Sequence, residues 1–329
     1  MTKVLILTQA EVSKLMPVRD CMPVMAEALA GLARGEFFLP LRMIIMPPGA
    51  AGDMGIMPSY RSGERAAYGV KTVCVFADNP AKGLDPHQGS VTLFSAETGE
   101  LRALMNASAI TAIRTAAVSG VATQLLARED AGDLAIIGSG VQARAHIEAM
   151  ACARSIRRAR VASARFENAR KFADEFREHY SFPIEAVDNI EAAVRDADLI
   201  VTATTAETPI LKREWISAGA HLNVVGSSIP RTREIDSETV AAASLFVDRR
   251  ESTVNEGGDY RVALSEGAIT ADHIKAEIGE LLIGAKSGRT SQDEITLFKS
   301  LGLAVEDLAS ADYLYLKAEQ TGAGTWVEF

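Results

Sequence analysis

The chain has 329 residues, 48% of them hydrophobic and 23% charged, with a formal net charge of −9 and a pI near 5.2. That length and apolar content can bury the cores of two domains and exclude a disordered chain, and an acidic surface without a basic stripe argues against nucleic acid as a partner. Cys21, Cys74 and Cys152 are odd in number and far apart, as expected of reduced thiols in a cytoplasmic protein, and no histidine stands at metal-ligand spacing.

The first run, "VLIL", is too short for a signal-peptide core. A long helix follows over "MPVMAEALAGLARG", then strand-like runs at "RMIIM", "YGVKTVCVFA" and "GSVTLFSAETGELRALMNA". The "ETGE" inside the last run reads as a hairpin turn, so residues 1–118 are expected to form an antiparallel α+β domain. Within "YGVKTVCVFA" both alternating sets are mostly apolar, which leaves Lys71 no solvent face.

Residues 103–127 are a long apolar stretch in which Arg114 is the only charge. No membrane span is expected from it. An unpaired charge in a core is costly, which leaves two readings for Arg114. It is held in a structural ion pair, or its planar fork lies at the floor of a pocket for a substrate carboxylate. Arg42, ahead of "MIIM", reads alone as an ordinary strand-edge arginine.

From residue 133 the pattern becomes strand then helix: "DLAIIGSG", "RARVAS", "DLIVTAT", "HLNVVGS", "SLFVD" and "EITLFKS". Such alternation predicts a parallel sheet covered on both faces, here a Rossmann domain over 119–303, with 304–329 returning as a helix to the first domain. In "AIIGSGVQA" Gly138 permits a tight turn, Gly140 a close approach of backbone to a pyrophosphate, and Ala143 close helix packing. Ser139, Val141 and Gln142 complete that turn and open the helix whose amides face the phosphates. Thr202, Thr204, Val225 and Gly226, in "DLIVTAT" and "HLNVVGS", are further expected cofactor residues. The second strand ends "VASARFEN", with Ser163 where an NAD site usually has an acid and Arg165 two residues on. The pair favours NADP(H) and leaves NAD(H) open; Arg165 read alone is a solvated helix-start residue.

The motifs "LPLRM", "YGVKTV", "HQGSVTLFSAETG", "ITAIRTAAVS", "IIGSGVQA", "ETPIL", "GAHLNVVGSSIP" and "FKSLGLAVED" resemble the ornithine cyclodeaminase and mu-crystallin family along nearly the whole chain. The resemblance implies a homodimer, with an N-terminal substrate and dimerisation domain beside the Rossmann domain. It also implies that Arg42, Lys71 and Arg114 bind a substrate carboxylate. Ser90 matches a threonine of relatives that lies near the nicotinamide and substrate. Cyclodeaminases of the family carry an Asp where this chain has Ser228 and a Glu where it has Ile56. Mu-crystallin-like members have Ser at the first position and resemble reductases of cyclic ketimines.

The expected protein is therefore an NAD(P)H-dependent reductase of a cyclic imino acid, such as Δ1-pyrroline-2-carboxylate or Δ1-piperideine-2-carboxylate. Lys71 is the expected proton donor to the imine nitrogen, and His87 a lesser candidate whose simpler reading is a loop residue. Two alternatives stand beside it. One is an ornithine or lysine cyclodeaminase, or an alanine-type amino-acid dehydrogenase. The other is a non-catalytic, NADP-loaded ligand-binding protein.

Overall fold

The computed structural model describes residues 3–329. It divides into two compact units, Met1–Arg114 with Gly302–Phe329, and Thr115–Leu301.

The first unit is built on an eight-stranded sheet. Its strands are β1 (Lys3–Leu7), β2 (Phe37–Phe38), β3 (Met43–Ile45), β4 (Asp53–Arg61), β5 (Ala67–Val75), β6 (His87–Ser95), β7 (Leu101–Asn106) and the last strand, Thr325–Glu328. β4 to β7 form an antiparallel meander. The sheet is mixed, because β1 joins β7 in parallel and the last strand antiparallel. Pro58 lies inside β4, yet β2 pairs only with Tyr60 and Arg61, and β3 only with residues 54–56. The proline thus falls in the gap between them, where a missing N–H breaks no ladder on that side.

The helices Val18–Ala33 and Ala304–Thr321 pack against each other, and the second also lies across β4, β5 and β6. On β5 the covered face carries Ala67, Gly69, Lys71 and Val73 in strict alternation. The period of two that buries the apolar residues therefore buries Lys71 with them.

The second unit holds an eight-stranded, all-parallel sheet. Its strands are β8 (Asp133–Ile137), β9 (Arg158–Ala162), β10 (Ile184–Ala186), β11 (Leu199–Thr202), β12 (His221–Val224), β13 (Ser244–Val247), β14 (Ile274–Glu277) and β15 (Thr296–Lys299). They are ordered β10-β9-β8-β11-β12-β15-β13-β14. β11 and β12 are buried along their whole length, as strands covered on both faces must be. The order turns back at β8, with β9 on one side and β11 on the other. Open parallel sheets bind ligands at the carboxyl ends of strands flanking such a point.

The apolar stretch around Arg114 is a 20-residue helix, Ala107–Leu126, with mean hydropathy 1.3 in a window that is 78% buried. Burial of that order marks a core helix.

Candidate active site

Lys71 is 2% exposed and Arg114 4%, too buried for either charge to be satisfied by water. Both find partners on the first turn of the helix Ala304–Thr321. Lys71 Nζ lies 2.9 Å from Asp307 Oδ2 and 3.1 Å from Oδ1, and 3.5 Å from the Thr111 hydroxyl. Arg114 reaches Glu306 Oε2 at 2.8 Å through Nη1 and Asp307 Oδ1 at 3.2 Å through Nε.

Arg42 joins the group at Gly302, whose carbonyl accepts from its Nη2 at 2.9 Å. Gly302 has φ +77°, and a Cβ there would run into the Arg114 guanidinium. A glycine is what lets both arginines converge on this turn.

Arg42, Lys71 and Arg114 thus converge about Gly302 and the carboxylates of Glu306 and Asp307. The ion-pair reading of Arg114 is realised. Burial pushes the Lys71 ammonium down to about 8, with repulsion from Arg114 adding to it and Asp307 opposing it; Arg42 adds a further, smaller repulsion.

His87 is half-buried and opposite Val75 on β5, on the Lys71 face of the sheet. Burial lowers its pKa, Asp85 opposes that, and Lys71 and Arg114 reinforce it. Ser90 is placed differently. It pairs with Thr72, the neighbour of Lys71, so its side chain leaves the opposite face and is not brought into the cluster. Ile56 also pairs with Thr72. No acid stands where the cyclodeaminases carry their Glu.

In the second unit, Gly138 has φ +118°, and a Cβ there would strike the Ala203 carbonyl. Two residues on, Gly140 is the N-cap of the helix Val141–Ala153, with no side-chain cap, and a Cβ on it would meet nothing within 4 Å. An uncapped helix start with open space above its glycine fits a dinucleotide pyrophosphate. Ala143 is fully buried, Val141 is exposed, and Ser139 and Gln142 are intermediate. The Ser139 and Ser163 hydroxyls meet at 2.9 Å, and Arg165 is exposed at the start of the next helix.

Thr202 and Thr204 both bond within the protein. Thr202 is fully buried, and its hydroxyl donates to Glu234 Oε2 at 2.8 Å. The hydroxyl and amide of Thr204 both donate to Glu234 Oε1 at 2.7 Å. These threonines therefore brace the strand ends from beneath. Val225 is buried, Gly226 is exposed, and Ser228 is half-buried in the loop that follows β12.

Three acids were not singled out by sequence reasoning. Glu306 and Asp307 sit in "LAVEDLASADYLYL", where an adjacent acidic pair between Val and Leu in a helix was the available signal. Glu234, in "RTREIDSE", is indistinguishable from its charged neighbours.

A Rossmann unit whose glycine turn stands open, carried by a chain that also gathers Arg42, Lys71 and Arg114 about one turn, defines a nicotinamide-dependent oxidoreductase acting on a small molecule. Comparison with known proteins narrows that class. The model of the ornithine cyclodeaminase/mu-crystallin family matches residues 2–322. A Δ1-pyrroline-2-carboxylate reductase of Bacillus cereus is 38% identical over 326 residues, 99% of this chain and 100% of its own. The structure of Thermococcus litoralis Δ1-pyrroline-2-carboxylate reductase in complex with NADH and L-proline superimposes with a TM-score of 0.96 at 40% identity, covering 98% of this chain and 100% of that one. An archaeal alanine dehydrogenase dimer with bound NAD gives 0.93 at 34% identity, with both chains fully covered. The chain belongs to the ornithine cyclodeaminase/mu-crystallin family.

Proposed function

We propose that the protein reduces cyclic imino acids, Δ1-pyrroline-2-carboxylate and Δ1-piperideine-2-carboxylate, to proline and pipecolate. The observation that carries this reading is the convergence of Arg42, Lys71 and Arg114 about Gly302 and the first turn of the helix Ala304–Thr321, where the planar forks of the arginines suit a carboxylate. The resemblance to the two pyrroline-2-carboxylate reductases supports the same substrate class.

Reduction of the C=N bond adds a hydride to carbon and a proton to nitrogen. The nicotinamide, when bound, supplies the hydride. Residues 138–143 would hold its pyrophosphate on the open turn, and Ser163 with Arg165 would take the adenosine ribose, where a serine and an arginine accommodate a 2′-phosphate. On that ground we assign NADP(H) as the preferred carrier, although the solved relatives carry NAD or NADH. Lys71 holds the proton. Its lowered pKa makes it a ready donor near neutral pH, and Asp307 keeps it charged. The arginines orient the carboxylate, and a fixed carboxylate fixes the imine carbon beside it.

A cyclodeaminase must also move protons at a second amine and expel ammonia. Ser228 and Ile56 stand where that chemistry would have its carboxylates.

The first unit is the substrate and dimerisation domain in this reading, and the second the cofactor domain. Phe38, Met43, Ile44, Ile45 and Met46 form a row of exposed apolar side chains along β2, β3 and the residue after it, a surface suited to burial in a homodimer. A cytoplasmic setting agrees with the unpaired state of Cys21, Cys74 and Cys152.

The test is oxidation of NADPH and of NADH, measured separately with each imine, beside an ornithine reaction assayed for ammonia. Imine-dependent oxidation without ammonia is the expected result. Ammonia from ornithine with no imine reduction would overturn the proposal.

A further inference from the structure

The second unit contains a buried charge cluster that the reaction as described does not use. Glu234 is fully buried, and both of its oxygens are saturated by four donors. Oε1 takes the amide and hydroxyl of Thr204, each at 2.7 Å. Oε2 takes the Thr202 hydroxyl at 2.8 Å and the Gly226 amide at 2.7 Å. One carboxylate therefore ties together the chain leaving β11 and the chain leaving β12, two adjacent parallel strands.

The tie is itself anchored. The amides of Glu234 and Ile235 donate to Asp259 Oδ1 at 2.8 and 3.2 Å, and Asp259 Oδ2 pairs with Lys299 Nζ at 2.9 Å. Lys299, at the end of β15, also donates to the Ser227 carbonyl at 2.5 Å. Lys299 is 1% exposed and Asp259 3%. Burial pushes the Glu234 carboxyl up, the Lys299 ammonium pulls it down, and Asp259 and the threonine hydroxyls act in opposite directions.

Such an arrangement is expensive to bury and has a specific geometric result. Residues 202–204 and 225–227 are pinned at the carboxyl ends of β11 and β12, where a parallel sheet of this order binds its ligand. Ser228, the residue that departs from the cyclodeaminases, follows directly on the pinned segment.

We propose that Glu234 is a positioning residue, fixing the two loops that frame the nicotinamide ring and setting the place of Ser228. The inference rests on the cofactor reading above. It assigns ring placement to Glu234 and anchoring of the dinucleotide to residues 138–143, so the two functions are separable.

Glu234→Gln tests it. The amide conserves volume but offers one acceptor oxygen and two N–H donors. A threonine hydroxyl can turn to accept from them, whereas the backbone amide of Thr204 or of Gly226 cannot. One loop is then released.

NADH is the probe. Binding to E234Q should keep a dissociation constant close to that of the unsubstituted protein, because the pyrophosphate turn is untouched. The emission maximum of bound NADH should move toward that of free NADH, and amide exchange at residues 202–206 and 225–228 should quicken. The kcat for imine reduction should fall about 10- to 100-fold, the scale set by misplacing reacting groups by about an ångström. Unchanged emission and unchanged kcat per cofactor-loaded site, with only a lowered Tm, would overturn the proposal.

Should E234Q fail to fold, Thr202→Val decides the matter. Thr202 is fully buried and out of a ligand's reach; the substitution removes one donor to Oε2 and keeps the Gly226 amide bond, and the same separation of binding from emission must appear in weaker form, or the proposal fails. If the unsubstituted protein binds NADH without reducing either imine, the functional reading falls. The emission and exchange results then still judge Glu234.

Discussion

Replacing Asp307 by Asn tests the proton-donor role of Lys71 through its pH dependence. Lys71 Nζ stands 2.9 Å from the Asp307 carboxylate and holds a pKa of about 8 with that charge in place. The other charges bearing on it are Arg114 and Arg42, both repulsive, with Glu306 beyond Arg114. His87 is lowered from its ordinary value of 6.5, chiefly by burial.

An opposite charge within about 4–6 Å is worth roughly 1–3 pKa units. Removing it disfavours the ammonium, so the Lys71 pKa falls from about 8 to roughly 5–7. The sign follows from the role. A lysine acting as acid is competent below its pKa, so kcat/KM is lost as pH rises through that value, and the loss must come earlier in D307N. At pH 8 the protonated fraction drops from one half to between roughly a tenth and a thousandth, a decrease of about 5- to 500-fold, and activity returns as pH is lowered.

The assay is the pH profile of kcat/KM, which reports the free enzyme, for which the Lys71 value holds. Titration of the imine itself is common to both variants and cancels in the difference. A high-pH limb that stays in place, or moves upward, would refute the assignment of Lys71 as the acid.

Gly140→Val should leave thermal stability nearly unchanged, because a Cβ at Gly140 meets no protein atom within 4 Å, yet it should weaken dinucleotide binding at least about tenfold by filling the open turn. Differential scanning fluorimetry and NADPH titration read the two effects. Gly302→Ala should raise KM for the imine and lower Tm together, since φ is +77° and the added methyl displaces the Arg114 guanidinium; a variant with normal KM would separate Arg114 from substrate binding. Arg165→Asp should reverse cofactor preference toward NADH, measured as the ratio of kcat/KM for NADPH to that for NADH. An unchanged ratio would remove Arg165 from the 2′-phosphate site.

The parts legible in the sequence were those with a local signature. The Rossmann strands announce themselves as short apolar runs, and "GSGVQA" marks the turn where Gly138 and Gly140 do different work. Lys71 and Arg114 stand out because a charge interrupts an apolar pattern, and both are indeed buried. β4 is harder to read, since Gly55 and Pro58 break its strand character. It forms because its two edge partners leave the proline unpaired. Ser90 shows the reverse limit: its neighbourhood in the chain was informative, but one step of strand register turns it to the other face from Lys71.

What was not legible is the negative half of the cluster. Asp307 is 236 residues from Lys71, and Glu306 is 192 residues from Arg114. Only the packing of the helix Ala304–Thr321 across the sheet brings them together. A buried ion pair of this kind adds little stability compared with apolar packing, whereas removing one partner costs roughly 3–5 kcal/mol. Apolar side chains would hold the helix to the sheet equally well. What the two acids add is placement: they hold Lys71 and Arg114 side by side at the turn where Arg42 meets the Gly302 carbonyl.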